Sequence, residues 1–204
     1  MKNTTKLLLI LTVVTCFAFI KPKHSEPKKL NIVIDAGHGG EDFGATSDAI
    51  TEKKIVEQVT KKIKSLNSNV VIHFTRNEDH FLSLKDRTDF INKLKPDLVL
   101  SLHVNSSLNT KTSGLEFYVA KDTEFFEKSN EIASKLIDKF GTSANLKVAT
   151  VKTGPFYILK KSDVPAVIVE LGYLTNESDK KYLIDDNEQN KMAKSISEFI
   201  SEMK

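Results

Sequence analysis

Three short apolar runs, LNIVIDAG, DLVLSLHVN and VPAVIVELG, each carry a lone Asp, His or Glu close to their C-terminal end. Their β-branched content and length mark them as buried strands. The segments between them switch to the helical period. TEKKIVEQVTKKIKSL puts Ile55, Val56, Val59, Ile63 and Leu66 on one face. SLKDRTDFINKL does the same with Leu84, Ile91 and Leu94 before Pro96 ends it. Further helices are expected from Phe125 to Phe140, with Gly141 as C-cap, and from about Asn187 to Met203. VVIHFTR and GLEFYVA are strand-like, and GPFYIL is a short extended piece. Strands alternating with helices predict a single α/β domain: a twisted, mostly parallel, mixed sheet flanked by helices on both faces.

The domain begins near residue 30. Before it, MKNTTK is a short basic start, and Leu7 to Ile20 is a 14-residue apolar run closed by Lys21. That run is shorter than the ~20 residues that span a bilayer and fits a signal-peptide core. Residues 1–20 are therefore expected to be a signal peptide or an N-terminal membrane anchor, with lipid attachment at Cys16 as a third fate. Residues 21–29 are a polar linker, and 30–204 form the folded domain. The chain is expected to be exported to the periplasm or cell envelope. Of 30 basic and 27 acidic residues, the first 29 positions hold six and one. The domain keeps 24 against 26, so its charge gives no reason to expect nucleic acid. Cys16 is the only cysteine, which excludes thiol catalysis, thiolate metal sites and disulfides from the domain.

Sheets of this kind bind ligands beyond the C-terminal ends of their strands. His38 follows the first run, in VIDAGHGGEDFGA; His103 ends DLVLSLHVN; Glu170 ends AVIVELG. Groups far apart in the chain can thus meet on one rim. Glu52 opens the helix after the glycine loop and, by its spacing to Ile55 and Val56, points inward. Alone it reads more simply as a first-turn glutamate favoured by the helix dipole. His103 alone could be a strand histidine bound to a backbone group. A carboxylate inside PAVIVELG is costly unless it is paired, hydrogen-bonded or near a metal. A salt bridge to Arg76 or Arg87 would explain it without chemistry. Two His and a Glu with an open position make a catalytic zinc set, beside which Glu170 could act as general base and then acid. The glycine loop lacks the G-x-G-x-x-G spacing and a P-loop lysine, so no nucleotide is expected. His73 and His80 have no convergent company, and His24 lies in the linker. Asp35 could orient His38 or hold the loop by accepting backbone N–H groups.

Several ordered blocks, VIDAGHGGEDFGA, Glu52-Lys53, Thr75-Arg76, Leu84 to Arg87, DLVLSLHVNSS, GLEFYV and VPAVIVELGYLTN, together resemble the zinc-dependent N-acetylmuramoyl-L-alanine amidases that cut bacterial peptidoglycan. The resemblance spans Asn31 to Met203. It implies one zinc per chain on His38, Glu52 and His103, with Glu170 as the catalytic glutamate and Asn105 and Arg87 as supporting residues. It implies a peptidoglycan substrate and hydrolysis of the amide between N-acetylmuramic acid and L-alanine. A zinc hydrolase of the same fold with another amide substrate shares these four residues. A non-catalytic wall-binding module would have lost one of them. A monomer is expected, with membrane contact only through the N-terminus. Three departures stand out. Ile91-Asn92 replaces a usual Ala-Asn, Tyr173 replaces a usual Phe without an evident task, and nothing between Asn105 and Ile132 reads as a self-blocking helix. The isolated domain is accordingly expected to work without an activator.

Overall fold

The computed structural model describes residues 29–66, 70–141 and 146–203, with the backbone alone for 148 and 149. The expected signal or anchor at 1–20 and the linker up to residue 28 lie outside the described residues. No helix among the described residues is long and apolar enough to cross a membrane.

The elements follow in the order β1 (Asn31–Ala36), β2 (Thr46–Ser47), β3 (Ile50–Thr51), α1 (Glu52–Leu66), β4 (Val71–Phe74), α2 (Leu84–Leu94) and β5 (Leu98–Asn105). Then come β6 (Leu115–Val119), α3 (Phe126–Gly141), β7 (Val148–Thr153), α4 (Tyr157–Lys161), β8 (Ala166–Tyr173), α5 (Glu177–Ile184) and α6 (Asp186–Glu202). Six strands form one sheet in the order β4-β1-β5-β8-β6-β7. The first four run parallel, β6 is antiparallel to β8, and β7 is parallel to β6. The expected mostly parallel, mixed sheet is what the chain forms.

The two faces of the sheet differ, and the difference locates the site. On one face Ile32, Ile34, Leu98, Leu100, Leu102, Val167, Val169 and Phe117 are fully buried. They pack against α1, α3, α5 and α6 through residues such as Val59, Leu136, Leu183 and Ile196. Successive strand residues point to opposite faces. The other face is apolar only in its lower half, where Val33, Val99, Ala166 and Ile168 meet Ile91 of α2 and Ile158 and Leu159 of α4. One step on toward the C-terminal strand ends, that face carries Asp35, Ser101, His103, Glu116 and Glu170. The strands thus read as near-continuous apolar runs because both faces are covered at their bases, and turn polar where the second cover stops.

Local details explain the boundaries. Ser83 caps α2 by accepting the Asp86 N–H, and Lys95 closes it in the left-handed conformation just before Pro96. Four expectations need correction. Leu66 and Leu84 are exposed rather than in the core, because each sits at a helix end, beyond its neighbours' reach. Gly141 is the last residue of α3 and does not take the positive φ of a cap. The stretch GPFYIL is not extended throughout: after Phe156 it turns into α4, a single turn too short to show periodicity. The β2–β3 hairpin, β7 and α5 gave no clear sequence signal.

Candidate metal centre

The turn after β1 is held from outside. His38 has φ 58°, a backbone conformation costing a non-glycine residue about 1–3 kcal/mol and kept only where the surroundings enforce it. Two buried arginines do so. Arg76 donates to the carbonyls of Ala36 (3.1 Å) and Gly37 (3.0 Å). Arg87 donates to those of Ala36 and His38, both at 2.7 Å. Three successive carbonyls are therefore captured, and His38 is aimed by a rigid loop. Two glycines of the turn are required by what approaches them. A Cβ on Gly37 would meet the His103 ring at 2.5 Å, and one on Gly44 would meet Glu52 Oε2 at 2.4 Å.

The side chains of His38, Glu52 and His103 converge on one point. Glu52 Oε1 lies 3.0 Å from His38 Nε2 and 2.9 Å from His103 Nδ1. One donor atom from each of His38, Glu52 and His103 lies within 4.8 Å of the others. Glu52 is buried and its carboxylate is locked by the N–H groups of Val104 (3.0 Å) and Ala45 (2.8 Å). A first-turn glutamate serving only the helix dipole would not be tied to two other segments. Burial lowers the pKa of both imidazoles, but the Glu52 hydrogen bonds and charge outweigh it. His38 ends above its ordinary value and His103 is pushed up to about 9. Burial raises the Glu52 carboxyl and the two histidines override this, leaving it well below the usual range. One buried carboxylate between two imidazoles makes a pocket that favours positive charge. Their donor set, two imidazole nitrogens and a carboxylate oxygen facing open space, fits a catalytic zinc site. The other nitrogen of His38, Nδ1, is 2.8 Å from Asp42 Oδ2, which sets the ring's orientation as outer carboxylates do for metal-binding histidines.

Glu170 is the register partner of His103 on the neighbouring strand. It is 8% exposed, and its Oε2 has no hydrogen-bond partner among the described residues. Neither arginine neutralises it: Arg87 pairs with Asp35 at 2.7 Å, and Arg76 lies 3.8 Å from Glu57. Burial pushes its pKa up; His103 pulls it down and Glu52 and Glu116 push it further up, to about 7. A carboxyl near neutrality with a free oxygen can take a proton and give it back.

Asp35 corrects an expectation. It does not touch His38. Its carboxylate accepts from Thr75 Oγ1 and Arg87 at 2.7 Å and from Ser101 Oγ at 2.7 Å. It holds Arg87, and Arg87 holds the turn. Arg87 is thus a clamp, and the orienting carboxylate is Asp42, four residues after His38, whose place in GHGGEDFG gave no hint of direction. Asn105 lies off the ligand set and reaches Glu116 Oε2 at 3.5 Å. The Tyr173 hydroxyl helps to hold the Glu116 carboxyl below its ordinary range, which gives that departure a task. Ile91 fills the lower core, and Asn92 ties α2 to the end of α4 through Lys161 O and Asp163 N. His73 and His80 stay apart from the site. A cleft of about 420 Å³ opens beside His38 and His103, walled by Phe81, Leu82, Leu84 and Tyr157.

Comparison with known proteins places the chain in a family. The family model described as N-acetylmuramoyl-L-alanine amidase matches residues 32–202. YqiI of Bacillus subtilis is 36% identical over 192 residues, covering 92% of this chain and 89% of that protein. The amidase LytC of the same organism is 32% identical over 168 residues, covering 81% of this chain but only 34% of LytC. Among solved structures, the catalytic domain of the amidase CwlV from Bacillus (Paenibacillus) polymyxa var. colistinus superposes with a TM-score of 0.78 at 31% identity. That match covers 85% of this chain and 97% of that one. The converging His38, Glu52 and His103 side chains and these matches over nearly the whole domain lead to one conclusion: the chain belongs to the N-acetylmuramoyl-L-alanine amidase family.

Proposed function

We propose that the protein is a zinc-dependent amidase that hydrolyses the bond between N-acetylmuramic acid and L-alanine in peptidoglycan. His38, Glu52 and His103 would hold the metal. Zinc in such a site supplies a Lewis acid for the amide carbonyl and lowers the pKa of water. Glu170 takes the proton of the attacking water and delivers it to the alanine nitrogen as the amide breaks. Asp42 fixes the His38 ring, and the two arginines keep the loop from relaxing. The observation that carries the reading is Glu170: a buried carboxyl with a free oxygen, one strand spacing from a ligand histidine. The N-terminal apolar run supports delivery of the domain to the cell envelope, where this substrate lies.

Digestion of purified peptidoglycan by the zinc-loaded protein, with products read by mass spectrometry, tests the bond specificity. Free stem peptides with L-alanine at their N-terminus and unsplit glycan strands are expected. Fragments cut between two amino acids would assign the same site to a peptidase.

A further inference from the structure

A second polar cluster adjoins Glu170 on the side away from the metal ligands. Glu116 is the antiparallel register partner of Glu170. The row across the sheet therefore runs His103, Glu170, Glu116, all on the half-open face. Glu116 is buried and bonded by the Lys152 ammonium and by Tyr118 OH at 2.6 Å. Lys152 is the register partner of Tyr118; its side chain is 43% exposed and its Nζ lies 5.8 Å from the Tyr118 ring centre. Phe156 meets the Tyr118 ring edge-on, with centroids 5.0 Å apart, so the tyrosine that supports Lys152 is itself wedged. An ammonium held by a carboxylate on one side still has donors to offer on the other.

The reaction gives this cluster a direction. The amide carbonyl has to face the ligand residues, and the leaving nitrogen has to face Glu170, which delivers its proton. The step from His103 to Glu170 along the sheet is then the step from the acyl half of the substrate to the amine half. The acyl half falls over the apolar cleft bounded by Phe81, Leu84 and Tyr157. The amine half, the peptide, falls over β6 and β7. Strands are about 4.8 Å apart and an extended peptide advances about 3.3–3.6 Å per residue. The Lys152 ammonium reaches back from β7 to Glu116, one strand spacing from Glu170, which is about one residue step beyond the leaving alanine and so level with the second residue of the peptide.

We infer that Lys152, set by Glu116 and Tyr118, is a specificity-determining residue that binds a carboxylate on the second residue of the leaving peptide. The inference rests on the amidase reading above. It is tested with two muropeptides that differ only in a free carboxylate or a carboxamide on that residue. The wild-type enzyme is expected to favour the carboxylate form by about tenfold in kcat/KM, as for a charge-assisted contact partly open to water, with the difference mainly in KM. In Lys152→Met the preference falls to near one, and Lys152→Arg restores it. A purely structural role would shift both substrates together and leave the ratio unchanged, which overturns the inference, as does a wild-type ratio of one. Failure of the wild-type protein to cleave either muropeptide overturns the amidase reading itself and this inference with it.

Discussion

Glu170→Gln is expected to lower peptidoglycan cleavage by about 10²–10⁴-fold, the range for loss of a general acid–base group, while zinc content stays unchanged. The amide matches the carboxylate in size but cannot accept and return the proton. The neighbouring carboxylate, Glu116, is already engaged by Lys152 and Tyr118. Fold stability should move the other way. Burial raises the Glu170 carboxyl to about 7, above its value in an unfolded chain. A folded-state carboxyl with a raised pKa is best tolerated when protonated. Its contribution to stability is present at low pH and is lost as pH rises through about 7. At pH 8 the metal-free Gln variant should therefore melt above the metal-free wild type, and below about pH 4, under the unfolded pKa, the two should nearly coincide. Activity within a few-fold of wild type in a zinc-loaded variant would remove Glu170 from the chemistry.

Asp35→Ala is the second large effect. It leaves the Arg87 guanidinium, 3% exposed, without its carboxylate and strands the hydroxyls of Thr75 and Ser101. Removing one partner of a buried pair costs about 3–5 kcal/mol, a large share of the 5–15 kcal/mol that holds a typical domain. Activity should fall as well, because Arg87 holds the carbonyls of Ala36 and His38. Burial alone would raise the Asp35 carboxyl, but Arg87, Thr75 and Ser101 hold it below its ordinary value. Its contribution is thus full above the unfolded pKa of about 3.9 and is lost only as pH falls through the lower folded value. The stability gap between wild type and variant, read by chemical denaturation, should be constant from pH 7 to about 4 and shrink below. A gap under 1 kcal/mol at pH 7 would show that the clamp is not needed.

The sequence carried the apolar strands, the long helices and the inward aim of Glu52, because each follows from a period of two or of 3.6. It also placed His38, His103 and Glu170 at strand ends, and strand order then brings strand ends together. What it could not carry depends on direction. Asp35 and Asp42 both lie within four residues of His38, and only the turn decides that Asp42 meets the ring while Asp35 faces Arg87. Ser101 and Glu116 read as ordinary alternating polar positions until register sets them beside Asp35 and Glu170. Tyr173 looked like an idle hydroxyl for the same reason, since Glu116, whose carboxyl it helps to hold down, sits on another strand. Helix α4 is one turn long and buries only Ile158 and Leu159, which is too little for a periodic pattern.

The central claim is that His38, Glu52 and His103 hold one zinc on which cleavage depends. Titrating chelator-stripped protein with Zn²⁺, while following bound metal and peptidoglycan cleavage together, tests it most directly. Activity should rise in proportion to bound zinc and saturate at about one ion per chain, as expected for a single site with three protein ligands. His103→Ala should neither retain the ion nor regain activity. Full cleavage by the metal-free protein, or zinc-dependent activity surviving in His103→Ala, would contradict it.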